Sequence, residues 1–145
     1  TLYRHCCDFE SARIYPGVPE YSNPTGQGIC HYLTGAASWI VLTALTQMYG
    51  VRGDFGDLVL DPKLLGQQFD EGGRAGVATV FANREFHVTY INEGKKDYGD
   101  YRIDRVLLGG EEITCGAFGG GVIIERELVD ELSGARVHTL EVHLV

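Results

Sequence analysis

The sequence predicts a mixed α and β chain: one strongly apolar helix, then a small antiparallel β-sandwich. Two observations carry this expectation. Between residues 34 and 49, Ala36, Ala37, Trp39, Ile40, Val41, Leu42, Ala44, Leu45, Met48 and Tyr49 make a helical stretch that is apolar on nearly every side. After residue 65 helical periodicity disappears, and short alternating segments are separated by glycine turns.

At 145 residues the chain has the length of a single domain. The helix argues against that simple answer, because an element apolar all round needs packing partners on all sides and one short helical stretch precedes it. The chain also opens at Thr1 inside what reads as the end of a helix, with Leu2, Tyr3, Cys6 and Phe9 at helical spacing. The expectation is a segment of a larger polypeptide.

Residues 8–28 carry Pro16, Gly17, Pro19, Pro24, Gly26 and Gly28, a composition that describes a long ordered loop. Within it, Glu20, Tyr21 and Asn23 offer an aromatic face for the C–H side of a pyranose and planar acceptors for its hydroxyls. A packed Tyr21 beside a solvated Glu20 is the structural alternative. His31 stands three residues before Thr34, placed either to meet a ligand or to bond to backbone as a buried histidine. Thr34 is the expected N-cap of the helix and Gly35 allows close backbone approach, together offering a hydroxyl and free first-turn amides at the positive end of its dipole, and Gly50 is the stop signal. A plain helix cap accounts for the same residues.

Gly53, Gly56, Asp57 and Pro62 then punctuate a short strand at Leu58-Val59-Leu60. Residues 78–81 and 85–91 alternate around Ala82-Asn83-Arg84 as in a hairpin, with Phe86, Val88 and Tyr90 on one face and His87 and Thr89 on the other. Residues 101–108, 122–128 and 136–145 add further strands. Glu125, Arg126, Glu127, Glu141 and His143 fall where outward faces are expected. Gly119-Gly120-Gly121 lacks the following Lys-Ser/Thr and helix of a nucleotide loop.

The run His31-Tyr32-Leu33-Thr34-Gly35-Ala36-Ala37-Ser38-Trp39, followed by Tyr49-Gly50-Val51-Arg52-Gly53-Asp54-Phe55-Gly56-Asp57 and Leu58-Val59-Leu60-Asp61-Pro62-Lys63-Leu64, resembles the C-terminal part of glycoside hydrolase family 94. Its members are inverting β-glucan phosphorylases acting on cellobiose, cellodextrins or laminaribiose. The resemblance spans roughly residues 15–101. It implies that residues 1–56 end an (α/α)6 catalytic barrel and that residues 57–145 form a C-terminal β-sandwich domain. It places phosphate contacts on Thr34 and Gly35. Tyr32 and Ala36, where cellobiose enzymes often carry Trp and Thr, point toward the longer-oligosaccharide members.

Inverting phosphorolysis needs an acid for the leaving glycosidic oxygen, while phosphate replaces the water and base of an inverting hydrolase. The family's acid and further basic phosphate ligands come from earlier in the barrel, so no catalytic acid is expected among these 145 residues. The implied partners are a β-linked gluco-oligosaccharide, inorganic phosphate as co-substrate, the rest of the barrel and a second copy in a homodimer. No cofactor and no metal are expected.

Twenty Asp and Glu against twelve Lys and Arg give a net charge of −8, with no basic run beyond Lys95-Lys96. That excludes an electrostatic footprint for nucleic acid or an anionic membrane, and the apolar stretch is too short for a membrane span. Cys6, Cys7, Cys30 and Cys115 show neither zinc nor redox spacing, which fits free thiols in a reducing cytoplasm. Two other readings remain open at this level: a barrel-type glycoside hydrolase releasing free sugar, and a non-catalytic carbohydrate-binding or structural β module. The last predicts exposed aromatics along one sheet face, whereas Phe81, Phe86, Tyr90 and Tyr101 read as core.

Overall fold

The computed structural model describes residues 21–22, 28–30, 35–132 and 137–145. The chain divides into two units, Thr1–Thr43 and Ala44–Val145. In the first, β1 (Tyr21–Ser22) pairs antiparallel with β2 (Gly28–Cys30), Tyr21 opposite Cys30 and Ser22 opposite Gly28. The stretch expected as loop therefore contains a short ladder. Helix α1 spans Ala36–Thr43. Its residues Trp39, Ile40, Val41 and Leu42 stand exposed, as expected of an apolar helix whose packing partners the sequence does not supply. Apolar composition creates a demand for packing partners but does not supply them.

The second unit begins with a correction to the single helix expected between residues 34 and 49. Ala44–Met48 is a π-helical turn, closed by Tyr49 N–H donating to the Ala44 carbonyl at 2.8 Å. The carbonyls at its end are taken by residues distant in sequence. Lys63 N–H bonds Met48 O at 2.8 Å, the Tyr90 hydroxyl bonds Tyr49 O, and Asp61 N–H bonds Gly50 O at 3.0 Å. Gly50 is the expected stop: its φ is +67°, and a Cβ there would lie 1.9 Å from the Asp61 carbonyl oxygen.

Two sheets follow. Strands β3 (Val51–Asp54) and β4 (Asp57–Leu60) make a hairpin whose two-residue turn, Phe55-Gly56, has positive φ at both positions. A second hairpin joins β5 (Arg74–Phe81) to β6 (Arg84–Ile91) through Ala82 and Asn83, again both at positive φ. Next come β7 (Ile103–Leu108), β8 (Glu111–Ile113), β9 (Gly116–Phe118), β10 (Gly121–Ile124), helix α2 (Arg126–Glu131) and β11 (Val137–Leu144). The four-stranded sheet has the order β3-β4-β10-β9 and the five-stranded sheet β5-β6-β11-β7-β8.

The four-stranded sheet is antiparallel as expected, but the five-stranded sheet is mixed: β11 runs parallel to β6, from Val137 opposite Glu85 to His143 opposite Ile91, and antiparallel to β7. A parallel pair needs a long connection, and everything from β7 to α2 supplies it. The segment 122–128, expected as one strand, leaves the sheet after Ile124 and turns into α2.

The inward faces meet in one apolar cluster. Val51, Leu58 and Leu60 come from one sheet; Phe86, Val88, Tyr90, Val106, Leu140 and Val142 from the other, joined by Leu64, Phe69 and Val129. The alternation expected for residues 85–90 is observed, with Phe86, Val88 and Tyr90 buried and Glu85 and His87 exposed. Among the described residues no helix is long and apolar enough to cross a membrane.

Candidate functional site

Of the residues expected to hold phosphate, Gly35 is described and Thr34 lies outside the described residues. The first bond of α1 runs from Trp39 N–H to the Gly35 carbonyl at 3.1 Å, which puts Gly35 itself at the N-cap. Its φ of +77° is a backbone state suited to glycine. A Cβ built there would meet no atom of the described residues within 4 Å, so it is the turn of the chain that calls for glycine. By helix geometry, the first-turn amides have no acceptor inside α1.

Among the sugar-contact candidates, Glu20, Asn23 and His31 lie outside the described residues, and Tyr21 is described in its backbone. The ladder sets position 21 against Cys30, one residue before His31.

Positive charge in the second unit is partly neutralised. The Arg52 guanidinium lies 3.1 Å and the Lys63 ammonium 3.6 Å from the same Asp61 carboxylate oxygen, and Arg52 also covers the Phe118 ring at 5.5 Å. Arg84 and Arg126 both meet Asp130, at 3.9 and 3.2 Å. Two acids thereby engage four cations, an arrangement that cross-links strands and loops.

Lys96, Arg105 and His143 line a cavity of about 350 Å³ that the sequence did not announce. Glu93 and Asp104 share its wall, so the fixed charges balance and the cavity has no net preference for an anion. The loop supplying Lys96 is held by buried Asn92, whose amide donates to Lys96 O at 3.0 Å and accepts from Lys96 N–H at 3.1 Å. No periodicity marks such a clamp, because both bonds stay within five residues and depend on backbone path.

Tyr101 is a fastening residue. Its hydroxyl accepts from Leu64 N–H at 2.8 Å and donates to Pro62 O at 3.1 Å, and burial pushes its pKa upward. Burial likewise raises the Cys115 thiol, which leaves little thiolate for nucleophilic chemistry. The exposed aromatics among the described residues are Trp39, Phe55 and Tyr98, none of them on a β-strand. They form no aromatic line along a sheet face of the sandwich. No protein-family model matches the chain, and no curated protein is significantly similar to it.

Proposed function

We propose that this chain is part of an inverting β-glucan oligosaccharide phosphorylase, with the start of α1 contributing to the phosphate site at the end of an (α/α)6 barrel. One observation carries the reading: Gly35 opens an apolar helix in a left-handed conformation, with its carbonyl taking the helix's first bond. Amides at such an end stabilise an anion by hydrogen bonding and by the helix dipole. The likeness of residues 31–39 and 49–64 to family 94 supplies the substrate class. Phosphate held there attacks the anomeric carbon in line, while an acid from another part of the enzyme protonates the leaving oxygen.

The test is to incubate the complete enzyme with β-linked gluco-oligosaccharides, with and without inorganic phosphate. The reading expects phosphate-dependent α-glucose 1-phosphate; free sugar formed without phosphate would make the protein a hydrolase and reduce Gly35 to a cap. Thr34→Ala in that enzyme should raise KM for phosphate about tenfold, the effect of losing one hydrogen bond to a charged group. An unchanged KM removes Thr34 from the site. The 145 residues by themselves should show no phosphorolysis.

A further inference from the structure

The edge strands of the two sheets in the second unit are unequal. β3 has four residues, and β8 and β9 have three each. β5 is eight residues long, runs in unbroken register with β6, and carries no charge and no proline from Ala75 to Phe81. Soluble proteins ordinarily blunt such an edge, because its free backbone groups are a template for another strand.

Which groups are free follows from the pairing. Asn92 N–H donates to Gly73 O at 2.8 Å, so position 73 turns its carbonyl toward β6. Arg74 points the other way: its N–H donates to the Asp70 carboxylate at 2.8 Å and its carbonyl accepts from Asp70 N–H at 2.9 Å. Antiparallel alternation then directs the backbone groups of Ala75, Val77, Thr79 and Phe81 to β6, and those of Gly76, Ala78 and Val80 away from it. Asp70 closes one end of this edge and the Ala82-Asn83 turn the other. Between them, the outward N–H and C=O groups of Gly76, Ala78 and Val80 have no partner among the described residues.

We propose that β5 pairs antiparallel with β5 of a second copy of this chain, about a two-fold axis at Ala78. That axis alone matches all the free residues of both edges: Gly76 faces Val80 of the second copy, and Ala78 faces Ala78. Each pair exchanges both of its N–H···O bonds, which leaves no free group on the edge. The side chains agree with this register. On the exposed face glycine lies opposite Val80, which is 71% exposed, and alanine lies opposite alanine. On the inner face Val77 and Thr79, both half-buried, meet as β-branched cross-strand pairs. Arg74 comes opposite Ala82, so like charges do not meet. A cavity of about 340 Å³ beside Thr79 and Phe81, walled by Val51, Gly53 and Leu58, leaves room for the Val77 side chain of the second copy. The inference is independent of phosphorolysis, since it rests on the second unit alone.

One strand pair is at the low end of specific interfaces, so the dimer should form with a Kd on the order of 10–100 µM. The test is sedimentation equilibrium of the full chain from about 1 µM to about 1 mM, with amide exchange measured at both ends of that range. The mass should rise toward that of two copies. Exchange at Gly76, Ala78 and Val80 should slow about fivefold at the higher concentration, while Val77 and Thr79, already bonded to β6, stay unchanged. Ala78→Pro removes a donor that is unpaired in the single copy, and Thr79→Lys sets a charge opposite Val77; each should weaken the dimer about tenfold or more. Either variant suffices if the other fails to fold. A chain that stays monomeric, a dimer without this alternating protection, or a dimer indifferent to the substitutions, which would put the contact on another surface such as the exposed side chains of α1, overturns the proposal.

Discussion

Phe55 combines two unfavourable states, a left-handed φ of +49° and complete exposure of its ring. Both follow from its place as first residue of a two-residue hairpin turn, where positive φ matches the strand twist and Asn or Gly is the usual choice. Phe55→Asn should therefore stabilise the chain by about 0.5–1 kcal/mol, read as a higher urea midpoint. Gly50 is the opposite case, a residue with no tolerated replacement. Gly50→Ala combines a left-handed φ with a Cβ driven into the Asp61 carbonyl, and should cost roughly 3 kcal/mol or more in the same measurement. Its role as a stop was legible in the sequence; the contact with Asp61 was not, because it depends on two segments meeting.

At the scale of elements, α2 shows how tertiary structure completes what a local sequence lacks. Its N-cap residue, Glu125, makes no side-chain cap. The Asp57 carboxylate, 69 residues away, instead accepts from Arg126 N–H at 2.8 Å. Asp57→Ala should cost about 1 kcal/mol and speed amide exchange in Arg126–Glu131, and an unchanged exchange pattern would show the bond to be dispensable. This is also why residues 122–128 read as a strand. Val122, Ile123 and Ile124 carry strong β character, and the helix start that follows has its cap in another element. The hairpin at 78–91, by contrast, was legible because its period-two pattern and its turn are both local.

For the whole sandwich, the buried hydroxyl of Tyr90 sets an alkaline limit. Burial pushes its pKa far up, so in the folded protein it stays protonated while the unfolded chain ionises near pH 10. Above that pH the folded state binds more protons than the unfolded one, and stability falls as pH rises by up to about 1.4 kcal/mol per pH unit. Tyr101 and Cys115, both also raised by burial, act in the same direction. Urea unfolding across the alkaline range should show this slope. Tyr90→Phe should flatten part of it, while costing about 1–2 kcal/mol at neutral pH through the unpaired Tyr49 carbonyl. Identical slopes in both proteins would exclude Tyr90 as the titrating group.

The sequence by itself determined the mixed class, the helix stop at Gly50, and the hairpin and inward face of residues 78–91. Each is written in a local periodicity or in one residue's allowed backbone conformations. Only the tertiary structure decided that β11 lies between β6 and β7, that α2 takes its cap from Asp57, and that Gly35 caps α1. The first two features join residues tens of positions apart. Their energies come from burial and hydrogen bonding between segments, which neighbouring residues do not encode.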